Sequence, residues 1–113
     1  MISETPKLGS KLENVTVNEG QEAKFVLKIS GGKPRPTFKW FKDEEEIVIT
    51  TEETYEFIET EDTIQLIIKS AKPENSGSYH AQIINEAGQI ATNKAQLIVN
   101  RKQDYLFKLN PPT

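Results

Sequence analysis

From Ala23 to Ser30 the chain alternates with a period of two. Ala23, Phe25, Leu27 and Ile29 form one side; Lys24, Val26, Lys28 and Ser30 form the other. That period matches a β-strand with one buried face and no helix. It returns at Val15 and Val17, at Phe38 and Trp40 around Lys39, and at Tyr55 and Phe57 around Glu56. It continues in Ile64, Leu66 and Ile68, then in Tyr79, Ala81 and Ile83, and last in Ala95, Leu97 and Val99. Turn-forming stretches separate these runs: Glu19-Gly20, the segment from Gly31 to Pro36, Asp43 to Glu46, Lys72 to Gly77, and Asn85 to Gly88. The Gly and Pro residues from 31 to 36 are expected to end the strand before them. Seven or more short strands at this spacing predict an all-β antiparallel sandwich or barrel.

The 113 residues suit one domain, and 35% hydrophobic content with one Trp, five Phe and three Tyr suffices for a core. A formal net charge of −3 gives nucleic-acid binding no electrostatic support. No apolar run reaches the roughly 20 residues of a membrane-spanning helix, so no membrane role is expected. Met1 to Ser10 carry no apolar signal-peptide core. The chain has no cysteine, which excludes disulfides, thiolate metal sites and cysteine nucleophiles and favours a reducing compartment. One sequon, Asn14-Val15-Thr16, points instead toward secretion.

Two blocks of residues carry a family resemblance. The first is Gly20, then Ala23, Phe25, Leu27, Ile29 and Gly31, followed by Pro34, Pro36 and Trp40-Phe41-Lys42. The second is Leu66 and Ile68, then Asn75, Gly77, Tyr79, Ala81, Ile83, Asn85 and Gly88. Together they resemble the intermediate (I-set) type of the immunoglobulin superfamily. The resemblance covers about residues 7–100, with residues 1–6 and 101–113 expected to be linkers. It implies an immunoglobulin-like β-sandwich in which Trp40 fills the space between two sheets. Tyr79 takes the tyrosine-corner position, and Gly77 and Gly88 serve backbone conformations that a side chain would strain. Leu27 and Ala81 stand where the family usually carries its inter-sheet disulfide, so a large residue opposite a small one replaces the bridge. That bridge would contribute roughly 4 kcal/mol on a chain-entropy model. Asn75 stands where Asp is common. Domains without the disulfide look most like those of giant muscle proteins of the titin, twitchin and obscurin families. There they act as spacers, elastic elements and docking sites in tandem arrays.

No catalytic residue is expected. His80 is the sole histidine and falls on the outward side of a strand, ordinarily a solvated position. No phosphate loop, metal-spaced His/Glu set or nucleophile elbow occurs, so no cofactor and no metal are implied. Asp43 to Asp62 carries ten carboxylates, read first as a solvated edge that resists aggregation and second as a dock for a basic partner. Alternation from an inward Trp40 sends Phe41, Ile84 and Ile98 outward on neighbouring strands, a candidate protein-binding patch; Val26 and Ile67 would make a smaller one on the other sheet. The ordinary alternative is that Lys and Gln stems cover them. The tail from Arg101 holds Tyr105, Leu106, Phe107 and Leu109 before Pro111-Pro112, read as a linker or as a docked apolar strip.

These readings converge on a non-catalytic structural and protein-interaction module of a larger muscle or cytoskeletal protein. Its partners are proteins and its place is the cytoplasm. The alternative is an extracellular adhesion or receptor domain that has lost its disulfide.

Overall fold

A computed structural model describes residues 3–48 and 54–101. Strands β1 (Glu4–Leu8), β2 (Val15–Asn18), β3 (Ala23–Lys33), β4 (Thr37–Lys42) and β5 (Glu45–Glu46) precede β6 (Tyr55–Glu59) and β7 (Thr63–Ile68). A 3-10 turn, Pro73–Asn75, leads into β8 (Gly77–Asn85), β9 (Gly88–Ala91) and β10 (Ala95–Asn100). One sheet has the order β1-β3-β7-β6; the other runs β2-β10-β8-β4-β5, with β9 also paired to β8. The fold is therefore an all-β sandwich of two packed sheets.

The alternating residues meet between the sheets. Phe25, Leu27, Ile64, Leu66 and Ile68 from the smaller sheet pack against Trp40, Tyr79, Ala81, Ile83 and Leu97 from the larger. Each large aliphatic side chain enclosed this way contributes about 1.5–3 kcal/mol. Trp40 is 2% exposed, and Leu27, Ala81 and Tyr79 are fully enclosed. Trp40 is the ladder partner of Ala81, so the largest ring shares the inner face with a small neighbour. The rings of Phe25 and Tyr79 bridge the sheets, with centroids 5.1 Å apart.

Several local expectations are corrected. β3 does not stop at Gly31 but runs through both glycines to Lys33, because β1 pairs with it from Glu4↔Lys33 to Leu8↔Ile29. A Cβ at Gly32, which sits at φ +91°, would meet Pro36 Cγ at 2.8 Å, so glycine permits both the turn of the chain and the close approach. Since β1 begins at Glu4, residues 4–6 belong to the sandwich and not to a linker. The last strand stands where expected, as β10, but an unexpected strand precedes it: β9 also pairs with β8, and buried Thr92 follows it before β10 begins. There the hydroxyl accepts from Ala81 N at 2.9 Å and donates to Asn93 O at 3.0 Å, replacing a ladder bond. Gly77 also has a different reason from the one expected. Its φ is not positive, but a Cβ there would lie 2.8 Å from Asp43 Oδ2. The tail residues Tyr105, Leu106, Phe107 and Leu109 lie outside the described residues, as do Glu52 and Glu53 of the acidic run.

Candidate protein-interaction surfaces

Strands β10, β8 and β4 lie side by side, and their outward residues form the solvent face of the larger sheet. Phe41 is directly opposite His80, and Ile84 opposite Thr37. Leu97 pairs with Gly77, which brings Ile98 level with Ser76. Phe41, Ile84 and Ile98 thus occupy one face, but successive members are four residues apart along β8, about 13 Å at strand rise. Ser78 and Gln82 fill the intervening β8 positions. Ile98 is 52% exposed, whereas Phe41 and Ile84 are half-buried. The three are separate apolar points and not one contiguous patch. Residue alternation gives the face; only the register gives the spacing.

Phe41 has a partner that alternation did not suggest. Its ring stacks on the His80 imidazole, centroids 4.8 Å apart and planes within 6°. His80 is half-buried, not solvated, and its Nδ1 is enclosed without a hydrogen bond. On the smaller sheet, Val26 is 43% exposed but Ile67 only 6%, so the second patch does not form. Ile67 stands on an interior strand between Lys24 and Glu56, whose long stems flank it from both sides.

The acidic hairpin is held by specific bonds. Asp43 and Glu44 form the two-residue loop between β4 and β5, at φ 49° and 73°. Positive φ at both positions matches the twist of paired strands but normally favours Asn or Gly. Asp43 compensates: its N–H donates to Ser78 O at 2.8 Å, and Oδ1 accepts from Ser78 N at 3.0 Å. Glu44 pairs with Lys94, and that ammonium holds the Glu44 carboxyl below the usual carboxylate range. The carboxylates divide between two strand edges, with Glu45 and Glu46 on β5 and Glu56 and Glu59 on β6. Asn14, of the sequon, is exposed, and its Oδ1 accepts from Gln96 N at 2.8 Å. Among the described residues no three His, Cys, Asp or Glu side chains gather to hold a metal ion.

At the base of β8 the Tyr79 hydroxyl donates to Asn75 O at 2.6 Å, and Asn75 Oδ1 accepts from Lys72 N at 2.8 Å. This corner, the enclosed Trp40 and the two-sheet strand order are accompanied by a match of residues 6–99 to the immunoglobulin I-set domain model. The chain belongs to the immunoglobulin I-set family. Over 88 residues this I-set chain is 39% identical to smooth muscle myosin light chain kinase of Gallus gallus, a match covering 78% of the chain and 4% of the kinase. Muscle M-line assembly protein unc-89 of Caenorhabditis elegans is 35% identical over 95 residues, covering 83% of the chain and 1% of that protein. The chain thus spans a small fraction of these relatives. Among solved structures, the titin domains z1z2 in complex with telethonin superpose with a TM-score of 0.81 at 30% identity, covering 90% of the I-set chain and 51% of the titin chain.

Proposed function

We propose that this I-set domain is a non-catalytic spacer and protein-docking module of a larger, cytoplasmic muscle or cytoskeletal protein. The observation that carries the reading is the placement of its ends. Glu4 lies at the pole where Asn85 Nδ2 donates to its carbonyl at 2.6 Å. Asn100 lies at the opposite pole, where its carbonyl accepts from Glu19 N at 2.8 Å. β8 runs the length between them, from Gly77 beside Leu97 to Asn85. A domain entered at one pole and left at the other adds its full length to a tandem chain.

The strand pairing supports an elastic role. β2 and β10 run parallel, Val15↔Leu97 to Asn100↔Asn18. Tension between the two poles loads that ladder along its length, so its hydrogen bonds share the force and do not open one at a time. The muscle relatives and the titin–telethonin complex support the setting and the capacity of such domains to take protein partners. For docking, Phe41 on His80 is the favoured contact, with Ile84 and Ile98 as outlying points.

Force spectroscopy on a concatemer tests the mechanical part. The intact domain should yield in a single high-force event. Val15→Pro with Val17→Pro should lower that force more than it lowers resistance to urea. Equal unfolding forces for both chains would remove the parallel ladder as the element that bears load.

A further inference from the structure

Strand β3 has an open edge. Its ladder with β7 pairs Ala23↔Ile68 through Lys28↔Thr63. Lys28 turns its main-chain groups away from β7: Gly9 N donates to Lys28 O at 2.7 Å, and Lys28 N donates to Ser10 Oγ at 3.0 Å. The next residue faces the other way, with Ile29 N donating to Asp62 O at 2.9 Å. Because alternate residues of an antiparallel strand point to alternate sides, Lys24 and Val26 present their N–H and C=O groups to the same edge as Lys28. β1 covers that edge only from Ile29 onward. Beyond Leu8 the chain crosses to the other sheet, where β2 pairs with β10. Among the described residues no hydrogen bond reaches the main-chain groups of Lys24 or Val26 on that side.

A groove of about 310 Å3 follows the open edge. Val15 and Val26 supply its apolar lining. Lys11, Lys24 and Lys28 stand around it against a single carboxylate, Glu13, although the chain as a whole is acidic. Lysines on a strand edge ordinarily repel a second copy of the same edge. They also attract carboxylates, and the vacant donors and acceptors are spaced to receive a strand.

We propose that the Lys24–Val26 edge of β3, flanked by the Lys28 ammonium, is a strand-addition site for an extended acidic segment of a partner protein. The segment pairs its backbone with Lys24 and Val26. Its outward side chains are carboxylates that meet Lys24 and Lys28, and its inward ones are aliphatic and enter the groove toward Val15. The site lies on the opposite sheet from Phe41, so its failure would leave the spacer and docking reading untouched.

A short peptide of alternating glutamate and valine is the probe, with a lysine–valine peptide as control, followed by amide NMR on the whole chain. In the free chain the Lys24 and Val26 amides should exchange fast while Phe25 and Leu27 exchange slowly. Glutamate–valine peptide should shift and protect the Lys24 and Val26 amides, less strongly as salt rises. Lys24→Glu with Lys28→Glu should weaken binding about tenfold or more at an unchanged melting temperature, since both side chains are exposed. Val26→Pro removes a donor that makes no ladder bond and should abolish binding. Protected Lys24 and Val26 amides in the free chain would overturn the proposal. So would equal binding of the lysine peptide, binding that leaves these amides unmoved, or no binding at millimolar peptide.

Discussion

The Tyr79 phenol donates a 2.6 Å hydrogen bond to the carbonyl of Asn75, which ties the start of β8 to the 3-10 turn before it. Burial, with Tyr55 as a lesser influence, pushes the phenol well above its ordinary value of 10.0. Tyr79→Phe should lose about 0.5–1.5 kcal/mol near neutral pH, read as a lower urea midpoint at unchanged slope. The sign with pH follows from proton counting. Above pH 10 the unfolded chain releases this proton while the folded chain keeps it, so stability falls as pH rises. The phenylalanine variant lacks that component, so the difference between the two chains should shrink in alkali. A constant difference across that range would show that the phenol titrates freely in the fold.

Gly77 and Asp43 should be energetically coupled. Gly77→Ala places a Cβ 2.8 Å from Asp43 Oδ2 and should dislodge the carboxylate from Ser78. In an Asp43→Gly background that clash is absent, so the same alanine should be tolerated. A double-mutant cycle should report coupling of about 1 kcal/mol or more, and additivity would mean the hairpin does not lean on Gly77.

Glu44→Gly should raise the melting temperature. A residue at φ 73° in a two-residue loop is better served by glycine, and the exposed pair with Lys94 offsets little. A fall would show that the pair outweighs the turn. Separately, Lys94→Ala should let the Glu44 carboxyl titrate closer to the usual carboxylate range, followed by carboxyl-carbon NMR. Glu44's depressed pKa contributes stability above the usual range and loses it as pH falls through the folded value, and this acid loss should be smaller in Lys94→Ala.

Trp40→Ala should cost about 3–5 kcal/mol, enough to unfold much of a marginal domain at room temperature. Leu27→Cys with Ala81→Cys should oxidise under mild conditions and melt higher than its reduced form. This follows because both positions are enclosed, one on each sheet. Persistent free thiols would show that the two strands do not face one another as the core requires.

The sequence alone determined the all-β class, the inward residues of the central strands and the family, but not β1, β9 or the far end of β3. The first three follow from a period of two and from Trp40, Gly77 and Tyr79 standing at family spacing, all local in the chain. Tertiary structure decided what depends on lateral position between strands. Alternation assigned Phe41, Ile84 and Ile98 to one face, but the β4–β8 and β8–β10 registers separated them, and the same β4–β8 register laid His80 under Phe41. Ile67 looked outward yet is enclosed, because an interior strand has long side chains on both flanks. Gly77 resembled a turn glycine, but it is small because Asp43, far off in sequence, comes to rest there. The open edge of β3 has no signature in its own residues. It exists because the chain from Leu8 to Val15 leaves one sheet for the other, and strand pairing is a relation between distant segments that no single segment encodes.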